Sequence, residues 1–329
     1  MIMKTDTIKK YNIPIFIPHE GCPHSCVFCN QKKITGVQTS VTCGDVEKII
    51  EDYLTFLPKT DRYIEIAFFG GSFTGLSLDV QEDFLKTANR YGEFADGIRM
   101  STRPDYINDD VLRLAKKYNV TTIELGLQSS DDEVLKLNER EHIFAQTIQA
   151  SNLIKEYEIN LGLQMMVGMY GSNPEKDIKT ANDTANLEPE CVRIYPTLTL
   201  SGTKLEELYR KGDYVPYELD MAVDVTDKVM QIFEEKNISI IRVGLHSDES
   251  LTDGKSIVAG PYHPAFKELV LSKRARTMIE NDIIANGYKD CVYEISVPKS
   301  SVSETVGHKK CNAVYFKDKY NIDLKVVER

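Results

Sequence analysis

The sequence predicts an α/β fold, a parallel sheet with helical crossovers that closes or nearly closes into a (β/α) barrel, followed by a small C-terminal α+β appendage. Three observations point there. Strand-length apolar runs alternate with amphipathic helical stretches from residue 12 to residue 246, and such alternation builds a parallel sheet with helices packed outside it. Within several of these strands apolar residues alternate with polar or small ones, whereas a parallel sheet covered on both faces reads as nearly continuous hydrophobic, so one face is expected to line a cavity. The length of 329 residues suits one barrel of about 250 residues with a smaller unit attached.

The elements follow in order. Ile13 to Ile17 is a short apolar strand that runs into a cysteine-rich loop. A helix from about Asp45 carries Val46, Ile49, Ile50, Tyr53, Leu54 and Leu57 at helical spacing. Strand Tyr63 to Phe69, helix Val80 to Tyr91, strand Gly97 to Thr102, helix Val111 to Tyr118 and strand Val120 to Leu127 come next. Strands Asn160 to Met166, Cys191 to Tyr195 and, after a long helix ending near Glu235, Ile238 to Leu245 complete the series. The polar alternation sets Ile123, Leu125 and Leu127 against Glu124, Gly126 and Gln128, and Leu161, Leu163 and Met165 against Gly162 and Gln164. It also sets Ile241, Val243 and Leu245 against Arg242, Gly244 and His246. The competing reading of that face is a set of buried, mutually satisfied polar groups. Residues 1–246 are therefore expected to form the core barrel and 247–329 a second unit, with Ser247 to Gly254 as linker. In the second unit the pattern gives a helix from about Ala265 to Ile283, a strand Val292 to Val297, a helix opened by a capping box at Ser301 and Glu304, and a strand Leu324 to Val327.

Composition narrows the class. The chain is 42% hydrophobic and 27% charged, and no apolar run approaches the 18 residues needed to span a bilayer, so a cytoplasmic protein without a membrane partner is expected. A formal charge of -10 argues against non-specific coating of nucleic acid. The charge is uneven: residues 1–246 hold 27 Lys and Arg against 38 Asp and Glu, whereas 247–329 hold 13 against 12. Only the second unit could offer a basic surface.

Cys22, Cys26 and Cys29 lie at Cys-x-x-x-Cys-x-x-Cys spacing, with Phe28 just before the last. Three thiolates so placed can hold three corners of a cubane 4Fe-4S cluster and leave the fourth iron without a protein ligand, which argues that something else binds there. A structural zinc site would need His19, His24 or Cys43 to complete it. A disulfide framework does not suit three clustered cysteines in a chain long enough to need no staples. His142, Cys43, Cys191, Cys291 and Cys311 show no spacing that links them into a second cluster and read as structural.

Further motifs sit at the carboxyl ends of strands, the working face of a (β/α) barrel. Gly70-Gly71-Ser72-Phe73 can bring backbone carbonyls close to a cationic amino group. The run Ser101-Thr102-Arg103-Pro104-Asp105 offers hydroxyl and guanidinium groups to a carboxylate or ribose. Met166-Val167-Gly168-Met169-Tyr170-Gly171 could cradle an adenine ring.

Taken together with the cysteine run, the stretches GGSFTG, STRPDY, IELGLQS, QMMVGMYGS and RIYPTLTLSGTKLEELYRKGDYVPY resemble the radical S-adenosylmethionine (radical SAM) superfamily across residues 12–246. Within it they are most similar to the catalytic subunit of Elongator and its stand-alone bacterial relatives. The resemblance implies that Cys22, Cys26 and Cys29 ligate a 4Fe-4S cluster. It also implies that S-adenosyl-L-methionine lies among Phe28, Gly70, Gly71, Ser72, Ser101, Arg103, Gln128, Gln164 and Met166. Full Elongator subunits carry an acetyltransferase domain after this core; residues 247–329 show no Gly-rich acetyl-CoA loop, so an acetyl-CoA-dependent step is not expected of them.

The implied chemistry is one-electron cleavage of S-adenosyl-L-methionine, giving a 5'-deoxyadenosyl radical that takes hydrogen from a substrate. It needs an electron donor such as ferredoxin or flavodoxin and no acid-base pair, so no catalytic acid or base is named. The resemblance implies a tRNA or other RNA substrate, with Arg193 and Tyr195 as contacts in the barrel. On the helix after Ala265, an apolar face of Leu269, Ser272, Ala275, Ile279 and Ile283 would leave Lys267 and Arg274 pointing away and Arg276 near its edge. With Lys273, His308, Lys309 and Lys310 these form a candidate phosphate-binding patch. A small-molecule radical enzyme similar to the oxygen-independent coproporphyrinogen oxidases, and a non-enzymatic iron-sulfur or zinc protein, remain as alternatives.

Overall fold

Seven parallel strands, Lys9–Ile17, Arg62–Gly70, Gly97–Thr102, Val120–Gln128, Asn160–Val167, Cys191–Pro196 and Ser239–Val243, lie side by side in that order and curl into a half-barrel, open between the first and the last, with helices packed on its outer face. The computed structural model describes residues 8–17, 26–30, 41–245, 256–289 and 291–329. Cys22, His19, His24, His246 and the linker Ser247 to Gly254 lie outside them.

The core begins with β1 (Lys9–Ile17), α1 (Cys43–Phe56), β2 (Arg62–Gly70), α2 (Leu78–Asn89), β3 (Gly97–Thr102), α3 (Asp109–Lys117) and β4 (Val120–Gln128). It continues through α4 (Asp132–Leu137), α5 (Phe144–Glu156), β5 (Asn160–Val167), α6 (Pro174–Asn186), β6 (Cys191–Pro196), β7 (Thr199–Leu200), α7 (Lys204–Lys211), α8 (Leu219–Glu235) and β8 (Ser239–Val243). The second unit comprises β9 (Ile257–Ala259), α9 (Phe266–Asn286), β10 (Val292–Val297), α10 (Val302–Val306), α11 (Cys311–Tyr320) and β11 (Asp323–Glu328). β7 and β9 form an antiparallel pair across the two units, and β10 and β11 pair in parallel.

Strand alternation sorts the side chains. Ile13, Ile15, Ile64, Ile66, Phe68, Ile98, Met100, Ile123, Leu125, Leu161 and Leu163 point outward and are buried with Val46, Ile50, Leu85 and Leu112 from the helices. Helix ends are set locally. Thr42 and Asp45 form a reciprocal capping box at α1, and the Asn108, Asp131, Asn173 and Thr203 side chains accept N–H bonds at the starts of α3, α4, α6 and α7.

The inner face does not simply line a cavity. In its lower part Glu65, Arg99, Glu124 and Arg193 interlock, which is the competing reading of the polar alternation. Arg99 donates to Glu65 at 2.8 Å and to Glu124 at 2.8 Å, and Arg193 donates to Glu124 at 2.5 and 3.0 Å. Thr121 and Thr122 donate to Glu65, and Gln164 donates to Glu124 at 3.1 Å. Two carboxylates and two guanidiniums make the layer neutral. Burial opposes ionisation of Glu124, but the Arg193 and Arg99 guanidiniums outweigh it and hold the carboxyl below its ordinary range. Gly162 makes the room: a Cβ there would stand 2.7 Å from Glu124 Cγ.

Three expectations are corrected. β8 stops at Val243 because Gly244 turns with φ +79°, and a register shift opposite Val192 and Arg193 leaves Ile241 39% exposed instead of aligned with Val243. Ser301 makes no side-chain cap; its backbone is already helical after the 3-10 turn Lys299–Ser301, so the capping box does not form. The buried face of α9 is Phe266, Val270, Ser272, Ile279 and Ile283. Its first half packs on the main core, while Ile279 and Ile283 join Phe316 and Ile322 in a second, smaller core. Arg274 therefore does not point away from the protein: it pairs with Asp227 at 2.5 Å and Glu234 at 2.7 Å on α8, beside a Lys273–Asp224 pair.

Candidate functional site

The carboxyl ends of β1 to β6 bring the cysteine turn and the glycine-rich motifs to one mouth. Cys26 is 5% exposed and Val27 1%. Val27 packs on Leu205 and Tyr214, beside the partly buried Phe28, Tyr170 and Leu208. Backbone bonds lock the turn: Cys29 N–H to Cys26 O at 2.9 Å, Val27 N–H to Asn138 O at 3.2 Å, and Leu205 N–H to Val27 O at 2.8 Å. Asn138 ties the same loop to Tyr170 O at 2.8 Å, and Asn30 reaches Ser201 O at 3.3 Å. The C-terminal end of α4 and the start of α7 thus position Cys26 and Cys29 together.

Gly70 ends β2 with φ +107°, and a Cβ there would stand 2.7 Å from Ile17 O. Only glycine lets the ends of β1 and β2 approach this closely, and Gly71 N–H then donates to Ile17 O at 2.9 Å. Ser72 is buried and its hydroxyl bonds Thr102 at 2.8 Å, so it ties two loops together. Arg103 is also buried, forked on Asp105 at 2.9 and 3.0 Å and donating to Arg140 O. Ser101 and Gln164 touch at 3.4 Å, and Met166 stands opposite Tyr195 in register. Arg193 lies 5.2 Å above the Phe69 ring, next to Tyr195, whose hydroxyl is pushed up by burial.

Gln128 takes a left-handed φ of +65° as the β4 register shifts, and its Oε1 is buried with no partner. An unpaired acceptor at a barrel mouth suits a donor group on a ligand. With the cysteine sulfurs and the close glycine turn beside it, the mouth fits a thiolate-bound cluster and an amine-bearing cofactor.

Two groups escaped the sequence reading. Arg140 is 6% exposed and donates to Cys26 Sγ at 3.5 Å and to Gly126 O at 2.5 Å. Nearby His142 is pushed down to about 4, first by burial and then by Arg140 and Arg103, and is neutral. Asp177 is the second: it accepts from Gly168 N–H at 2.9 Å, Ser172 at 2.6 Å and Tyr217 at 2.9 Å, while Tyr214 donates to Gly168 O at 2.8 Å. The runs MVGMYGS and DYVPY, distant in sequence, are therefore one clamp. A buried carboxylate after a Gly-rich loop and a pair of tyrosines were the available signals, but nothing in the sequence pairs them.

Burial raises Asp177 to about 6 against its three donors. A carboxyl raised in the folded state adds stability that is full below its unfolded value of 3.8 and lost as pH rises through 6. At 1.36 kcal/mol per unit, stability is expected to fall by roughly 3 kcal/mol across that window. Urea unfolding of the wild type and Asp177→Asn between pH 4 and 7 checks this: the difference between them should carry the slope, and parallel curves would exclude it.

The model of the radical SAM superfamily matches residues 16–184, and that of the radical SAM C-terminal domain matches residues 189–276. A tRNA uridine(34) acetyltransferase of Methanocaldococcus jannaschii is 26% identical over 255 residues, 65% of this chain and 47% of that protein. Elongator complex protein 3 of Saccharomyces cerevisiae is 27% identical over 191 residues, 51% of this chain and 34% of that one. The chain thus spans half or less of the length of these relatives. The archaeal Methanocaldococcus infernus Elp3 with an N-terminal deletion is similar in structure, with TM-score 0.62, 23% identity, and coverage of 85% of this chain and 64% of that one. Because the first family model covers half of the chain and takes in the cysteine run, the glycine turn and Gln128, the chain belongs to the radical SAM superfamily, enzymes that use a 4Fe-4S cluster and S-adenosyl-L-methionine.

Proposed function

We propose that this protein is a radical SAM enzyme that modifies tRNA, with residues 1–246 as the radical-generating core and 247–329 helping to hold the RNA. The Cys26–Cys29 turn at the half-barrel mouth, with Cys26 buried, carries the reading, and the matched tRNA uridine(34) acetyltransferase supports the substrate class. Reductive cleavage of S-adenosyl-L-methionine and hydrogen abstraction are the chemistry the bound cofactors supply. Cys22, Cys26 and Cys29 would ligate the cluster. The chain's own residues hold and shield: Asn138 and Leu205 fix the cysteine turn, Gln128 offers its spare acceptor, and Phe69, Met166 and Tyr195 keep the mouth apolar against water.

Phosphates would be met at the second unit. Lys273 and Arg274 are neutralised by α8 and His308 faces Glu268 at 3.5 Å, which leaves exposed Lys267, Lys309 and Lys310. Lys309 and Lys310 both take left-handed backbone, φ +52° and +64°, in a turn pinned by Asn312 to Ser272 O at 2.8 Å. Lys267 also rims a 620 Å³ cleft with Arg242, Glu268 and Glu304. Among the described residues no helix is long and apolar enough to cross a membrane, and a cytoplasmic enzyme served by ferredoxin or flavodoxin fits this reading.

The test is release of 5'-deoxyadenosine by anaerobically reconstituted, reduced protein with and without bulk tRNA. Release stimulated by tRNA is expected. Release indifferent to tRNA would move the substrate to a small molecule, and none from a protein with an intact cluster would overturn the reading.

A further inference from the structure

In the second unit α9 and α11 lie side by side and run the same way. Asn312 donates to Ser272 O at 2.8 Å, Arg276 stacks on the Tyr315 ring, and Lys319 reaches Glu280 at 2.8 Å. The guanidinium carbon of half-buried Arg276 stands 4.8 Å from the ring centroid. Glu280 is four residues on, a position from which a carboxylate can pair with a helical arginine. It is turned away instead. Its Oε1 accepts from the Tyr315 hydroxyl at 2.6 Å, the Tyr320 hydroxyl at 2.7 Å and Lys319, which hold it on the α11 side. Among the described residues Arg276 forms no salt bridge, unlike Lys273 and Arg274 just before it, which α8 neutralises.

We infer that the Arg276–Tyr315 stack is a binding platform for an unpaired segment of RNA. This rests on the reading of RNA as the substrate and names the part of the second unit that grips it. A guanidinium held flat on an aromatic ring has little freedom left to lose on binding, and its edge N–H groups can take a phosphate bidentately. The planar pair also offers a base a surface to stack on, and only an unpaired base can use it. Exposed Lys309 and Lys310 stand next in line. His308 N–H bonds Ser272 Oγ at 3.3 Å, so the turn that carries them lies one helical turn, about 6 Å, before Arg276 along α9. Cations in single file suit one phosphodiester strand; an acidic peptide would meet the same charges but leave the stacking plane unused.

The experiment measures binding of a short fluorescein-labelled single-stranded RNA to the reconstituted full chain by anisotropy at several salt concentrations, with no turnover required. Arg276→Ala is expected to weaken binding about tenfold and to lower the slope of log affinity against log salt by about 0.7, one phosphate contact on a single strand. Arg276→Lys keeps the charge without the fork or the plane. It should hold the salt slope and still lose roughly threefold, which keeps the test decisive if the alanine variant does not fold. Lys317→Ala removes an equal charge from α11, where Lys317 pairs with Asp323 at 3.0 Å, and should bind as wild type does. Wild-type affinity in both Arg276 variants overturns the platform and leaves the RNA reading standing, whereas no RNA binding by the wild type overturns both. An equal loss in Lys317→Ala, or duplex RNA of the same sequence bound as tightly as the single strand, also overturns the platform. So does tighter binding of polyglutamate with the same dependence on Arg276, which would make this a protein-docking surface.

Discussion

Cys26→Ala is expected to leave the reconstituted protein with background iron and no release of 5'-deoxyadenosine. On the proposed assignment Cys26 is one of three thiolates that hold the cluster, and its turn is locked by backbone bonds. The substitution also strips Arg140 of an acceptor and faces a buried guanidinium with a methyl group. Cys43→Ala and Cys291→Ala serve as controls and should retain their iron, because neither lies in the cysteine turn. Iron measurement on the purified variants settles it; full iron in Cys26→Ala would exclude the cluster assignment.

Glu124→Ala is expected to cost about 3–5 kcal/mol of stability, the range for breaking a buried ion pair by removing one partner. Glu124 is fully buried and accepts from Arg99, Arg193 and Gln164. Its removal leaves Arg193 without a carboxylate and Arg99 with Glu65 alone, inside a half-barrel that water does not reach freely. Denaturant unfolding of wild type and variant reads the loss directly. A loss under about 1 kcal/mol would mean that the layer is hydrated and worth no more than surface pairs.

The periodicity of the chain made most of the fold legible. Strands Gly97–Thr102 and Val292–Val297 end where the pattern says they should, and the alternation around Ile123 and Leu161 identified the helix-packing face. What it could not do was choose partners. Glu124 read as a polar interruption on a face expected to line a cavity, and only the register of β3, β4, β5 and β6 sets it beside Arg99 and Arg193 as an ion layer. The same limit hid Arg140, whose target lies 114 positions away. On α9 the period was read correctly as helical, but the two halves of the helix bury themselves against different neighbours, which no single apolar stripe describes. The candidate site was legible as motifs and not as geometry: Ser72 and Arg103, expected beside a cofactor, also hold the surrounding loops together.

That divided helix makes α9 a lever. With its fulcrum at Arg274, clamped by Asp227 and Glu234, the arm from there to Asn286 is about 18 Å long at 1.5 Å per residue. A tilt of ten degrees at the clamp would swing its tip by about 3 Å and carry β10 and α11 with it, because Ile279 and Ile283 are embedded in their shared core. A small adjustment of α8 on the outer wall would thereby reach the appended unit through α9.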